Sequence, residues 1–178
     1  MRPKSHWRTI LDPAGYPWVA HSDSNRPLTP GERAALRESW SRVEPLADVF
    51  ALSLYRHLFE KAPQLRPLFH TNIETQGRRV FDTLGLAVSK MDDWARMEPM
   101  LEALGRRHRY VGVEAAHFRA LELALMLTLE EILGAGFTLD HRTAWQGFFA
   151  AVETSMVRGL ESVGDTAQSC DTTRFFRA

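Results

Sequence analysis

At 178 residues the chain has the length of one domain with tails, and it can bury roughly two thirds of its unfolded surface, a core large enough to enclose a bulky apolar cofactor. Apolar residues make up 44% and charged residues 25%, and 22 Lys plus Arg balance 22 Asp plus Glu; a net charge of zero with basic runs as short as Arg78-Arg79 and Arg106-Arg107 argues against a nucleic-acid or anionic-membrane footprint. The single cysteine, Cys170, excludes an internal disulfide, no apolar run reaches the roughly 18–20 residues of a membrane span, and no secretory pattern opens the chain, so a cytoplasmic, reducing location is expected.

Residues 1–28 form an extension with Pro3, Pro13, Pro17 and Pro27 and no helical period. Trp7, Ile10, Leu11, Tyr16, Trp18 and Val19 make it more aromatic than an ordinary disordered tail. It either packs on the domain or lies loosely beside it. Thr29-Pro30-Gly31-Glu32 then reads as a helix start, with Thr as N-cap, Pro at the first helical position and Glu three residues after the cap. Ala35, Leu36, Trp40 and Val43 continue at helical spacing until Pro45 breaks the run.

A second helix is expected over about 46–61, through Leu46, Phe50, Leu54, Leu58 and Phe59. Pro63 opens a short helical turn to Phe69, and polar residues 70–75 make a corner. A fourth helix covers about 74–90 with Val80, Leu84, Ala87 and Val88 on one face. Asp92-Asp93 and Pro99 bracket the start of a fifth, which carries Leu101, Leu104 and His108 and stops before Gly112. A sixth spans about 114–133 and is closed by Gly134 and Gly136. The seventh runs over about 138–162 with Trp145, Phe148, Phe149, Val152, Met156, Val157 and Leu160. No alternating strand pattern and no repeat is visible. The expected architecture is all-α, seven to eight helices of unequal length over residues 29–163, followed by a polar tail over 164–178.

Of seven histidines, most have ordinary settings: His6 and His21 lie in the extension, His57 at the surface of the second helix beside Arg56, and His141 in the first turn of the last helix. His108 differs. Leu101, Leu104 and His108 stand at i, i+3 and i+7, so the imidazole shares an apolar helix face. Such a histidine is either a satisfied core residue or a metal or haem ligand. No second His, Cys or carboxylate stands at zinc spacing near it. Haem iron needs only one strong protein ligand on its proximal side, because the porphyrin supplies four nitrogens. Tyr55 and Gln76 are hydrogen-bonding residues set in otherwise apolar stretches, with Val80 four residues beyond Gln76. Each is structural or functional taken singly; together they could meet a polar ligand.

These residues are similar to a known family. Leu54-Tyr55-Arg56-His57-Leu58-Phe59 with Pro63, Leu65, Leu68 and Phe69, then Gln76-Gly77-Arg78-Arg79-Val80-Phe81, then Leu104-Gly105-Arg106-Arg107-His108 with Val111-Gly112-Val113 and His117-Phe118, and finally Trp145, resemble the bacterial flavohaemoglobin-like single-domain globins over about 28–162. The resemblance implies a globin fold enclosing haem b. It implies His108 as the iron ligand, Phe69 and Leu104 as haem contacts, Tyr55 and Gln76 as the distal pair that hydrogen-bonds dioxygen, and Val80 as the apolar residue at the ligand site. Flavohaemoglobins place a Tyr and a Glu beside the proximal histidine; the matching positions here are Phe118 and Leu160, which cannot hydrogen-bond the imidazole. They also continue into flavin and nicotinamide domains, and no such segments follow in these 178 residues.

The function expected is reversible binding of dioxygen or a related gas, nitric oxide or carbon monoxide. One alternative is a nitric oxide dioxygenase served by an external reductase. Another is a gas sensor with residues 1–28 as its output element. A fourth is a fold that has lost haem and serves protein interaction, against which the intact His108 and Phe69 weigh.

Overall fold

The computed structural model describes residues 28–69 and 72–168, so the N-terminal extension up to Pro27 and residues 169–178 lie outside it. The described residues form six α-helices: α1 (Pro30–Val43), α2 (Ala47–Lys61), α3 (Ile73–Lys90), α4 (Trp94–Tyr110), α5 (Ala115–Leu133) and α6 (Leu139–Gln168). Short 3-10 turns join some of them, at Glu44–Leu46, Pro63–Leu68 and Gly134–Gly136. No strand occurs among the described residues.

The expected all-α architecture is therefore present, with fewer α-helices than the seven to eight expected. The short helix between Pro63 and Phe69 is a 3-10 turn. Pro63 and Pro67 lack the N–H groups that an α-helical ladder needs there. The last helix runs past Gly164, where the polar tail was expected to begin, to Gln168. Pro99 lies inside α4 rather than at its edge. It is exposed and near the helix start, so it removes one ladder bond whose carbonyl can meet water.

The helix starts follow local chemistry. Thr29 Oγ1 accepts from the Glu32 N–H at 3.2 Å, and Glu32 Oε2 accepts from the Thr29 N–H at 2.7 Å, completing the expected capping box. Asn72 Oδ1 accepts from the N–H groups of Glu74 and Thr75 at the start of α3. Glu114 and His117 make a reciprocal pair at the start of α5.

The apolar faces meet in one core. Trp40 of α1 packs on Phe81 of α3 with ring centroids 4.7 Å apart, and on Phe50 of α2 and Trp145 of α6 at about the same layer, 6.0 and 5.9 Å away. Trp145 is fully buried, and its indole N–H donates to Ser39 Oγ at 2.9 Å, while Ser39 Oγ donates to the Ala35 carbonyl at 2.8 Å. The one polar atom of the largest buried side chain is thus satisfied, which spares a desolvation cost of about 1–3 kcal/mol. Around this layer α2 packs between α3 and α5, and α4 lies along α6. No described helix is long and apolar enough to cross a membrane.

Candidate functional site

The residues singled out in the sequence fall into two groups, one on α2 with α3 and one on α4. The first is built on α2. Tyr55 is 3% exposed. Its ring stacks on Phe59 at 5.7 Å, one helical turn away, and meets the edge of Phe69 at 5.2 Å. Phe59 and Phe69 also touch edge to face at 5.2 Å, and the Arg66 guanidinium lies 4.8 Å from the Phe59 ring centre on the outer side. Burial pushes the Tyr55 hydroxyl from 10 up to about 12. Tyr55 is therefore a neutral phenol, able to donate its proton in a hydrogen bond, throughout the physiological range.

Helix α3 crosses α2 at Gly77. A Cβ placed there would lie 2.6 Å from Ala51 Cβ and 3.2 Å from the Tyr55 ring, so the two helices approach this closely only because position 77 has no side chain. Gln76 directly precedes Gly77 on α3, and Val80 follows three residues after it. They are four residues apart, one above the other on the helix, and both are half-buried.

The second group is on α4. His108 is half-buried, and its Nδ1 lies 2.9 Å from the Leu104 carbonyl oxygen. A carbonyl can only accept, so Nδ1 carries the proton and donates, and Nε2 is left with its lone pair. The ring is held by the preceding turn of its own helix. No carboxylate among the described residues pairs with it. Phe118 and Leu160, the positions expected to lack a polar group, are buried apolar side chains at 4% and 5% exposure.

The seat of α4 rests on two glycines. A Cβ on Gly105 would fall 2.0 Å from the Met156 carbonyl oxygen, and one on Gly159 would fall 2.0 Å from the Glu102 carbonyl oxygen. The backbones of α4 and α6 touch at both points. Three residues beyond Gly105, His108 inherits that position. Helix α4 then ends in a Schellman motif: the Val113 N–H donates to the His108 carbonyl and the Gly112 N–H to the Arg109 carbonyl, both at 3.1 Å, with Gly112 at φ +83°. A Cβ on Gly112 would sit 3.4 Å from Leu68 Cδ2, so the segment that leads to Phe69 runs beside the turn that ends the His108 helix.

The two groups do not touch directly: His108 makes no ring contact or hydrogen bond with Tyr55 or Phe69. Leu68, Phe69, Val80, Leu104 and Val113 pack on the core yet stay only partly buried. A lone imidazole with its Nδ1 engaged fits a planar apolar group that carries its own nitrogens. It does not suit zinc, and no group of three or more metal-binding side chains occurs among the described residues.

Gly77, Gly105 and Gly159 entered the sequence reading only as letters within longer motifs or not at all. Their signal was a missing side chain on the inner face of a helix, and it has meaning only once the partner helix is known. His57 is also different from its expected surface setting. Its side chain is 13% exposed, with Nε2 2.9 Å from Glu131 Oε2. Glu131 also accepts from Ser53 and pairs with Arg56, and these contacts, the Ser53 hydrogen bond foremost, hold its carboxyl below the usual range. His141 has the ordinary role expected, with Nε2 2.6 Å from Glu38 Oε2.

Comparison with known proteins agrees with this geometry. The family model described as Globin matches residues 52–156. The neuroglobin of Tetraodon nigroviridis is 31% identical over 152 residues, covering 78% of this chain and 96% of that protein. The polymeric globin component P2 of Glycera dibranchiata is 31% identical over 150 residues, covering 76% of this chain and 99% of that protein. Among solved structures, the engineered carbene transferase RmaNOD from Rhodothermus marinus superimposes with a TM-score of 0.72 at 20% identity, over 80% of this chain and 99% of its own. A hexacoordinated haem protein from an anhydrobiotic tardigrade gives a TM-score of 0.69 at 19% identity, over 76% and 96%. The two curated relatives named here are animal globins, so the bacterial character suggested by the motifs is narrower than what these matches establish. The chain belongs to the globin family.

Proposed function

We propose that this globin holds haem b through His108 Nε2 and reversibly binds dioxygen or a related small gas. Membership of the globin family implies a haem protein that binds gaseous ligands. The finer assignment, to the flavohaemoglobin-like single-domain globins, rests on Tyr55 with Gln76 on the ligand side. Bound haem would supply the iron that takes the gas. In this reading Phe69 and Leu104 would hold the ring, Val80 would line the ligand position, and the Tyr55 hydroxyl would donate to the ligand together with Gln76.

The observation that carries this reading is that His108 finds one polar partner among the described residues, a neutral backbone carbonyl. A carboxylate acceptor would make the imidazole a stronger electron donor, as activation of oxygen favours. Phe118 and Leu160 supply none. Binding is therefore favoured over turnover, and a nitric oxide dioxygenase with an external reductase is the lesser reading.

The test is a visible spectrum followed by dissociation kinetics. Purified protein shows an intense haem band that shifts with carbon monoxide, and His108→Ala loses or reshapes it. Tyr55→Phe speeds dioxygen dissociation about tenfold or more, because a hydrogen bond to a partly charged ligand is worth about 1.5–3 kcal/mol. Carbon monoxide, which carries less charge, changes less. Fast dioxygen release that is the same in both proteins would reject Tyr55 as the donor.

A further inference from the structure

A surface residue, Arg66, bears on the aromatic group around Tyr55. Three neighbours hold the Tyr55 ring. Phe59 stacks on it at 5.7 Å with the planes 28° apart, and Phe69 meets it edge to face at 5.2 Å. On the α3 side, a Cβ at Gly77 would lie 3.2 Å from Tyr55 Cε2. The phenolic oxygen moves with the ring, so whatever fixes the ring also aims the donor. Tyr55 itself is buried, but Phe59 and Phe69 are only partly so.

Arg66 acts on both of those rings. Its guanidinium carbon lies over Phe59, 4.8 Å from the ring centre. Its carbonyl accepts from the Phe69 N–H at 3.1 Å. It stands in the 3-10 turn Pro63–Leu68, between Pro63 and Pro67, whose rings fix φ and stiffen the turn. The side chain is exposed, yet it forms no ion pair among the described residues, and the Phe59 ring is its one recorded partner there. A cation over an aromatic face is held by the negative charge density of the ring. An arginine that served only to solvate the surface would gain nothing from that pose.

We propose that Arg66 is a positioning residue for Tyr55, and through it sets the preference for dioxygen over carbon monoxide. The proposal rests on the gas-binding reading above. Arg66 touches neither the ligand nor Tyr55; it acts through Phe59 and Phe69. With the guanidinium in place, Phe59 keeps its stacked pose and the Tyr55 ring stays against it. Without it, Phe59 tilts outward for part of the time, Tyr55 follows, and the hydroxyl leaves its donating pose. Dioxygen on ferrous iron carries partial charge and depends on that donor, whereas carbon monoxide depends on it less.

The experiment compares dissociation of dioxygen and of carbon monoxide from the ferrous, haem-loaded protein in Arg66→Gln, Arg66→Met and Arg66→Lys. Gln removes the cation, Met removes it while keeping an apolar stem over Phe59, and Lys restores a cation. A cation–π contact at an exposed site corresponds to a factor of about two to five. Arg66→Gln and Arg66→Met are expected to speed dioxygen release by about that factor, with carbon monoxide release unchanged and Arg66→Lys recovering part of the effect. In a Tyr55→Phe or Phe59→Leu background, Arg66→Gln is expected to add nothing. A second readout needs no gas. The tyrosinate phase of Tyr55, held at about 12 by burial, moves toward 10 in Arg66→Gln as the ring loosens and takes on water.

Four results would overturn the proposal. Dioxygen release unchanged in Arg66→Gln would leave Arg66 no role at the site. Arg66→Met behaving as wild type would reduce it to an apolar cover. Equal acceleration by Arg66→Gln in the Tyr55→Phe background would show an action that bypasses Tyr55. Equal acceleration of carbon monoxide would show a general opening of the pocket. If Tyr55→Phe itself leaves dioxygen release unchanged, the donor role of Tyr55 fails instead. The tyrosinate phase then still decides whether Arg66 holds the ring, so the two failures are distinguishable.

Discussion

Tyr55 and His108 are positioned by different means. Tyr55 is locked by side chains: Phe59 and Phe69 pack on its ring, and Gly77 lets α3 close over it. His108 is positioned by backbone. Gly105 and Gly159 bring α4 and α6 into direct main-chain contact, the Leu104 carbonyl orients the imidazole, and the Schellman turn at Gly112 stops the helix one turn later. The Tyr55 group is dense and buried, whereas His108 is half-buried on a helix whose outer surface is open to solvent. An aromatic cluster tolerates small shifts by sliding rings, whereas two backbones in contact have no give. The comparison predicts that small changes on the α4 side cost more than equivalent changes on the α2 side.

The largest effect should come from Gly105→Ala or Gly159→Ala. Each Cβ would fall 2.0 Å from a carbonyl oxygen of the partner helix, so α4 must move off α6. A loss of about 3 kcal/mol or more in urea unfolding is expected, with weaker haem retention because His108 moves with the helix. Wild-type stability in both variants would refute the backbone seat. Gly77→Ala is expected to cost less, about 1–3 kcal/mol, because its main obstacle is the Ala51 methyl group. Adding Ala51→Gly should recover part of that loss, and the double-mutant cycle measures the contact.

The alkaline range sharpens the contrast. Burial raises Tyr55 from 10 to about 12, so its neutral form contributes stability that is complete below pH 10 and is lost as pH rises through about 12. A late tyrosinate phase in the absorbance titration is expected, absent from Tyr55→Phe. Persistence of that phase in the variant would place the buried phenol elsewhere. The smallest effect concerns Glu131, which ties α2 to α5 through Ser53, Arg56 and His57. Its carboxyl is held below the usual range, so its contribution is present above that range and lost as pH falls through the lowered value. Glu131→Gln should lower Tm by about 2 °C or less near neutrality, with no difference in strong acid.

Much of this was legible in the chain. The Thr29 box, the apolar spacing of Leu101, Leu104 and His108, and the glycine that stops α4 are local signals, each decided within one or two helical turns. The short helical turn opened by Pro63 was legible too, while its 3-10 form was not, since helical spacing alone does not separate a tight turn from a short α-helix. The position of His57 was missed for another reason: its partner, Glu131, lies on α5, 74 residues away.

By itself the sequence determined the helical class, the candidate iron ligand and the residue types on the ligand side, because periodicity and capping depend on near neighbours. Only the tertiary structure decided which glycines matter and that His57 meets Glu131. Those depend on how closely one helix approaches another. That distance is set jointly by two segments that can lie more than fifty residues apart, as Glu102 and Gly159 do, and neither segment specifies it alone.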